Sequence, residues 1–202
     1  MEEIRICNSV TLRGVLGAPP RFSHQSRAER FYRFPLDVCR LSGAVDTVHI
    51  IAREDLLTSL APEGGGKIRV RGELRSFNTK SGVGAKLVIS VFARELCLDD
   101  GEDENDVALS GVLCKTPNYR VTPLGREICD LMLAVRRRYG RSDYLHCIAW
   151  GCNAREAADW RIGSSVRLTG RIQSRVYQKL VGDDSVEKTA YEVSVIQICL
   201  DS

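Results

Sequence analysis

The sequence has no long apolar run, no clustered histidines and no closely spaced cysteine pair. Its longest apolar stretches, such as 131–135, are too short to cross a bilayer. The eight cysteines include no CxxC pair and the three histidines stand apart, whereas a zinc site needs ligands at short spacings. No basic region followed by a hydrophobic segment opens the chain, so no secretory leader is expected. We therefore expect a cytoplasmic protein with no membrane association, no metal site and no other cofactor.

Sequence motifs of catalysis are missing as well. We find no GxxxxGK[ST] phosphate loop, no HExxH helix and no cluster of carboxylates of the nuclease type. The sequence therefore predicts no catalytic residues, and we expect a protein that is not an enzyme.

The charge is unevenly distributed, although the net formal charge is only +3. Residues 1–98 hold 15 basic against 10 acidic residues, and residues 107–202 hold 14 against 10. The segment between them, 99–106, has six acidic residues and no basic one. This pattern predicts two basic domains, 1–98 and 107–202, joined by a solvated, self-repelling acidic linker.

The two halves of the chain repeat each other at an offset of 97 residues, which becomes 98 towards the end of the repeat. Alternation of apolar residues alone would not repeat glycine, proline, arginine and aspartate positions in the same order. The chain is therefore interpreted as a duplication. The repeated pairs include Gly14 and Gly111, Pro20 and Pro117, Arg40 and Arg137, Asp46 and Asp143, His49 and His146, Gly72 and Gly170, and Ser76 and Ser174.

Each half is predicted to contain three strands, a short helix and two further strands. This is the element order of the OB fold, a five-stranded Greek-key barrel. The chain is therefore predicted to be all-β, with two tandem OB-fold barrels and one short helix between strands 3 and 4 of each. The strands are expected at 9–16, 30–40, 46–52, 67–77 and 85–96, then at 106–114, 127–137, 143–150, 165–177 and 189–199, and the helices near 54–60 and at 153–160.

The fourth strand of the second half, 165–177, separates apolar from basic residues. A period of two places these sets on opposite faces of the strand. A solvated face would mix acidic with basic side chains, but the polar face here contains no acidic residue. The first half repeats the pattern with an acidic residue, Glu73, among its basic ones. The polar faces are Arg167, Thr169, Arg171, Gln173, Arg175 and Tyr177, and Arg69, Arg71, Glu73, Arg75 and Phe77.

Aromatic residues add to this pattern in the third strand. Tyr144 and Trp150 share one face of 143–150, and we expect Trp150 and Tyr177 to end adjacent strands that face one groove. Aromatic rings interleaved with arginines suit single strands, because exposed bases stack on the rings while arginines contact the phosphates. The alternative is that these rings fill a second core or an interface. Trp160, on the predicted helix, is expected to pack against the core.

The stretch 105–198 resembles the bacterial single-stranded-DNA-binding protein family, including its primosomal relatives. The motifs NDVALSGVLCKTP, TPLG, LAVRRR, DYLHCIAWG, GRIQSRVY and AYEVSV occur in the order of the family. The resemblance implies binding of single-stranded DNA without sequence preference, in support of replication, recombination or repair. It also places base-stacking aromatics at Tyr139, Tyr144, Trp150 and Tyr177. The first half has Thr47 and Arg53 in place of Tyr144 and Trp150, so its stacking capacity is expected to be lower.

The expected partners follow from this resemblance. They are single-stranded DNA or RNA, replication or recombination proteins, and a second copy of the chain in a homodimer with four OB domains. Two alternatives stay open: a primosome-like or mobile-element replication accessory protein, and an OB protein-interaction module that does not bind DNA. The residues predicted to contact nucleic acid are Tyr139, Tyr144, His146, Trp150, Tyr177, Arg136, Arg138, Arg167, Arg171, Arg175, Lys179, Arg69, Arg71, Arg75 and Phe77.

Overall fold

The computed structural model describes residues 7–58, 66–79, 86–137, 140–181 and 184–201. These residues form strands and two short helices, and the predicted all-β class is confirmed. The first half contains β1 (Asn8–Leu16), β2 (Arg21–Ser26), β3 (Glu29–Cys39), β4 (Val45–Arg53), α1 (Glu54–Thr58), β5 (Lys67–Thr79) and β6 (Lys86–Leu98). The second half contains β7 (Glu104–Leu113), β8 (Asn118–Val121), β9 (Glu127–Arg136), β10 (Ser142–Trp150), α2 (Cys152–Ala158), β11 (Ser165–Val181) and β12 (Asp184–Leu200).

Each half closes into a five-stranded barrel, as the sequence predicted. In the first barrel, β3 pairs with β4, β4 runs parallel to β6, β6 pairs with β5, β5 with β1, and β1 returns to β3. The second barrel repeats this order with β9, β10, β12, β11 and β7. Alternate residues of these strands point inward, and the buried side chains of both barrels form one continuous core.

Two short strands, β2 and β8, were not predicted. Every residue of both strands is exposed, and among the strands of the described residues each pairs only with the long strand that follows it. A strand with no buried face has no apolar alternation, so its sequence lacks the signal by which the other strands were located.

The two barrels are joined through their first strands. Strands β1 and β7 pair antiparallel, with Val10 opposite Val107. These two valines are equivalent in the repeat, so a local twofold axis passes between them and the pairing is self-complementary: Asn8 lies opposite Leu109, and Leu12 opposite Asn105. The pairing joins the strands of both barrels into one twelve-stranded sheet.

Two of the repeated glycines are explained by close backbone approach. A Cβ atom on Gly72 would lie 2.2 Å from the carbonyl oxygen of Phe92, and one on Gly170 would lie 2.3 Å from that of Ser194. The strand register shifts directly before both glycines, at equivalent irregularities of the two barrels. Any larger residue at these positions would push adjacent strands apart, because neighbouring backbones are already in contact.

The acidic segment is only partly solvated: Asp100, Glu102 and Asp106 are exposed, but the other acidic residues pair with basic side chains, so the expectation of a solvated, self-repelling linker is wrong in part. Asp99 lies 3.0 Å from Arg13, and Asp103 lies 2.7 Å from Lys67 on the first barrel. Asp103 also accepts the backbone N–H of Cys39 at 2.6 Å, and β7 already begins at Glu104. Basic side chains of the first barrel thus pair with Asp99, Asp103 and Glu104 and hold the connection against the barrel. The division of the chain at residues 98 and 107 stays a prediction.

A buried aspartate of each barrel reaches into the other barrel. Asp143 is fully buried and accepts hydrogen bonds from Arg137 Nε at 2.7 Å and from the backbone N–H of Ser76 at 2.6 Å. Ser76 belongs to β5 of the first barrel, so this carboxylate links the two barrels. Arg75 Nη1 lies 3.4 Å from the same carboxylate.

The repeat supplies the same contact a second time. Asp46 is fully buried, binds Arg40 Nε at 2.6 Å and accepts the backbone N–H of Ser174 at 2.8 Å. The repeated arginine, aspartate and serine positions thus form two equivalent contacts between the barrels, in addition to the pairing of β1 with β7.

Candidate nucleic-acid interface

The alternation predicted for β11 is present in the structure. Val166, Leu168 and Ile172 are buried, while Arg167 and Arg171 are exposed on the opposite face. The outer face of this strand therefore presents cationic side chains to solvent, because its apolar residues are used to fill the barrel.

Trp150 lies on the same outer face, at the end of β10. The residue is 37% exposed, and its Nε1 donates a hydrogen bond to Ser194 Oγ at 3.1 Å. Ser194, on β12, is the register partner of Arg171 on β11. Trp150 on β10, Ser194 on β12 and Arg171 on β11 thus form a row across three neighbouring strands: an exposed ring, the hydroxyl that binds it and a cation.

The expectation that Trp150 and Tyr177 end adjacent strands is wrong. Strand β12 lies between β10 and β11 in the sheet, so the two strands do not touch. The parallel pairing of β10 with β12 brings together segments far apart in sequence, which local patterns do not reveal.

Tyr144 lies at the other end of β10, beside the first barrel. Its ring is 49% exposed, and its backbone N–H donates to Ser76 Oγ at 2.8 Å. Phe77, the next residue of β5, is 40% exposed. At the junction of the two barrels, each half thus has one exposed aromatic residue at or next to the contact between Tyr144 and Ser76.

His146 lies among carboxylates that the sequence analysis did not place on this face. Its Nε2 is 3.4 Å from Asp130 Oδ1, and its Nδ1 is 3.9 Å from Glu192 Oε2. Burial raises the pKa of Glu192, whose side chain is almost inaccessible and lies 3.9 Å from Arg175 Nη2. Asp130 lies on β9 and Glu192 on β12. These strands flank β10 in the sheet, so the strand order brings both acids next to His146. His146 and Arg175 thus contact carboxylates of their own barrel.

Most of the other predicted arginines also have carboxylate partners. Ion pairs of this kind reduce the charge that is free to meet a phosphate. The pairs are Arg69 with Glu104 at 3.6 Å, Arg71 with Glu95 at 3.7 Å, Arg75 with Glu73 and Asp143, and Arg167 with Asp201 at 2.5 Å.

Arg136 and Arg171 differ from these arginines. Both are exposed, and within the described ranges neither side chain forms a salt bridge. The loop residues Arg138 and Tyr139 lie outside the described residues, as do the side chains of Tyr177 and Lys179. The backbone of β11 continues through the last two positions to Val181. The proposed contacts of these four residues stay predictions.

The structure also bears on the expectations for Trp160, for metal binding and for membrane-spanning segments. Trp160 follows α2 and packs against the core, as expected. In the part of the chain that the structure describes, no three His, Cys, Asp or Glu side chains are grouped to hold a metal ion. Neither described helix has the length and apolar character needed to cross a membrane.

Comparison with known proteins agrees with the architecture. The family model of the single-strand binding protein family matches residues 104–200. Single-stranded DNA-binding protein 3 of Streptococcus agalactiae is 32% identical over 85 residues, covering 39% of this chain and 62% of that protein. Single-stranded DNA-binding protein 2 of Listeria innocua is 33% identical over 99 residues, covering 46% and 59%. The chain thus spans about 60% of the length of these curated relatives.

The two-barrel arrangement also has a counterpart among solved structures. The wild-type single-stranded DNA binding protein from Thermus aquaticus superposes with a TM-score of 0.79 at 22% identity, over 97% of this chain and 93% of that one. At this identity the likeness establishes the shared fold of the whole chain. Residues 104–200 are thus similar to the single-strand binding protein family.

Proposed function

We propose that this protein binds single-stranded DNA without sequence preference, by stacking bases on exposed rings and contacting phosphates with arginines. The row of Trp150, Ser194 and Arg171 carries this proposal. A ring that is fixed by a hydrogen bond at one edge and exposed elsewhere offers a preformed stacking surface. The neighbouring guanidinium of Arg171 has no salt-bridge partner among the described residues. Its Nε and Nη2 donate to the amide oxygen of Gln173 at 2.8 and 2.9 Å, and since this group is neutral the charge of Arg171 is left to pair with a phosphate.

Binding without catalysis is the activity that we propose. Stacking and ion pairing are noncovalent contacts, and the ring and guanidinium described above accept any of the bases. The proposed role is protection of exposed strands during replication, recombination or repair, together with proteins of those processes. The eight cysteines are free thiols, which favours a reducing compartment, the cytoplasm.

A first test is a titration of the protein with oligo-dT, in which binding is measured by the change in protein fluorescence. Thymine runs lack stable secondary structure, so the titration reports strand binding alone. Saturable binding to oligo-dT with much weaker binding to duplex of the same length is expected. Absence of any oligo-dT binding would favour the OB protein-interaction module, whose groove would take a peptide instead.

The salt dependence of binding tests the phosphate contacts. Replacing Arg171 and Arg175 together by serine should lower the slope of log affinity against log salt by about 0.7 to 1.4, because each phosphate contact on a single strand contributes about 0.7 and Arg175 already lies 3.9 Å from Glu192. Replacing Arg69 and Arg71 together is the matched control, since both guanidiniums already pair with carboxylates. A smaller change of slope is expected for that control. Equal slopes for the wild type and the Arg171 and Arg175 variant would place the phosphates elsewhere.

The assembly state can be tested without DNA. We propose a homodimer with twofold symmetry, in which two chains contribute four barrels. Sedimentation equilibrium at micromolar concentration should then give about twice the chain mass of 22.5 kDa. A single species at the mass of one chain would contradict the proposal.

A further inference from the structure

The outer face of the second barrel contains a buried carboxylate next to the proposed binding row. Val193 on β12 points into the core and is fully buried, so its neighbours Glu192 and Ser194 lie on the opposite face. Only 4% of Glu192 is exposed, and its Oε2 atom has no hydrogen-bond partner among the described residues. Ser194 binds Trp150, so this carboxylate lies about 7 Å along the strand from the row that we propose to bind DNA.

A histidine lies between this carboxylate and a second one. His146 Nδ1 is 3.9 Å from Glu192 Oε2, and its Nε2 is 3.4 Å from Asp130 Oδ1. A neutral imidazole has one N–H group, so it can donate to only one of the two carboxylates and turns a lone pair towards the other. One added proton removes this mismatch, either as a second N–H on the ring or as an O–H on Glu192. The three side chains therefore form a cluster with affinity for a proton.

Nearby cations compensate the charge of Glu192 only in part. Arg175 Nη2 lies 3.9 Å from Oε2, and the side chain of this arginine is 59% exposed. Burial raises the pKa of Glu192, and the attraction of Arg175 and His146 offsets this shift without cancelling it. A carboxylate in such surroundings takes up a proton at a higher pH than an exposed one. Among the described residues, the charged or titratable side chains within electrostatic range of Glu192 are Asp130 on β9, Arg120 on β8, His146 on β10, Arg175 on β11 and Arg40, which follows β3 of the first barrel.

The first barrel shows that the fold does not require these carboxylates. The repeat keeps the histidine of the cluster, as His49, but replaces both acids. Arg33 occupies the position of Asp130, and the strand register makes Ser90 the equivalent of Glu192. The second barrel thus carries two carboxylates around its histidine where the same fold accepts a cation and a hydroxyl.

Negative charge at this position opposes the binding of phosphates. An ionised Glu192 repels a phosphate that approaches the row, and it attracts Arg175, which is then less available to that phosphate. A proton on the cluster removes one negative charge from this face and weakens the attraction to Arg175. Proton binding and DNA binding therefore favour each other, and a bound strand must in turn raise the affinity of the cluster for a proton.

We propose that Glu192, His146 and Asp130 form a proton-binding site through which the affinity for single-stranded DNA rises as the pH falls. This inference rests on the proposed function and adds a regulatory site to it. The site acts on the strand through charge, so none of its three side chains has to touch a base. In this role His146 exchanges a proton with its carboxylate neighbours.

The test compares the oligo-dT affinity of full-length variants between about pH 8 and about pH 5 at constant ionic strength, a range in which thymine takes up no proton. Wild-type affinity should rise about 3- to 10-fold on acidification, the effect of removing one charge about 7 Å from a phosphate near the protein surface. Glu192→Gln should bind at the higher pH almost as tightly as the wild type does at the lower one and show a smaller rise, because its amide N–H can donate to the neutral ring. Glu127→Gln is the matched control: it removes a carboxylate of β9 that binds Arg155 of α2, and it should keep the wild-type pH profile.

Proton binding by the cluster is also measured without DNA. Because burial raises the pKa of Glu192 in the folded state, its stabilising contribution is present at acidic pH and is lost as the pH rises through the folded-state pKa. Urea unfolding should therefore find Glu192→Gln at least as stable as the wild type at about pH 8, and the wild type should gain stability relative to this variant towards about pH 5.

The outcomes separate this inference from the proposed function. Parallel pH profiles of oligo-dT affinity for the wild type and Glu192→Gln would overturn the inference alone. A stability difference that does not change with pH would overturn the proton-binding site, whether or not the chain binds DNA. A wild-type chain that binds oligo-dT at none of these pH values would overturn the proposed function and this inference with it.

Discussion

Trp150→Ala should weaken oligo-dT binding about 5- to 150-fold, since base–aromatic stacking contributes about 1–3 kcal/mol per base. The loss is expected to be the largest among single aromatic substitutions of the second barrel, because Trp150 offers the widest ring and is held in place by Ser194. Folding should persist, since the indole lies outside the barrel core and the residue is 37% exposed. Titration with dT oligomers at fixed salt measures the effect.

Two further measurements separate stacking from other causes of this loss. Trp150→Phe keeps a stacking face but lacks the N–H that binds Ser194, so it should retain most of the affinity. Tryptophan fluorescence of the wild type should fall on addition of oligo-dT, with little contribution from Trp160, which packs against the core. Normal affinity and full quenching in Trp150→Ala would show that the bases stack on another surface.

Asp143→Asn should lower the free energy of unfolding by about 3 kcal/mol, because removing one partner of a buried ion pair leaves the other without compensation. The carboxylate is fully buried and holds Arg137, Arg75 and the backbone N–H of Ser76. An asparagine keeps the shape of the side chain but points an NH2 group at one of these donors. Since the guanidiniums are partly accessible to water, we place the effect at the lower end of the range for buried pairs.

Urea unfolding at fixed protein concentration measures this change. Asp46→Asn, on the other side of the local axis, should cause a loss of similar size, because Asp46 contacts Arg40 and Ser174 in the same way. Asp55→Asn is the control: its ion pair with Arg53 is exposed, and such pairs contribute about 0–1 kcal/mol. An Asp143→Asn variant as stable as this control would mean that the cross-barrel carboxylate does not hold the barrels together.

The strands of the two barrels could be predicted because each of them has one buried face. In β11, for example, the alternation of Val166, Leu168 and Ile172 with exposed residues is visible in the sequence and reappears in the structure. Strands β2 and β8 have no buried face, so no local pattern indicated them.

The charge on the outer faces could be predicted only in part. Alternation shows which side chains point outward, but not which outward residues of distant strands become neighbours. Glu192 and His146 meet because β12 pairs with β10, and Arg75 meets Asp143 because the barrels exchange contacts across the local axis. Arginines that appear unopposed within one strand therefore turned out to be paired.

The sequence by itself determined the all-β class, the duplication and the sidedness of the strands, because alternation and repetition are recorded along the chain. The tertiary structure alone decided the strand order, the partners of the outer arginines and the contact between Asp143 and Ser76. The strand order and these contacts depend on pairing between segments that are remote in sequence. Such pairing is determined by hydrogen-bond register and by charge neutralisation across strands, which local sequence patterns do not record.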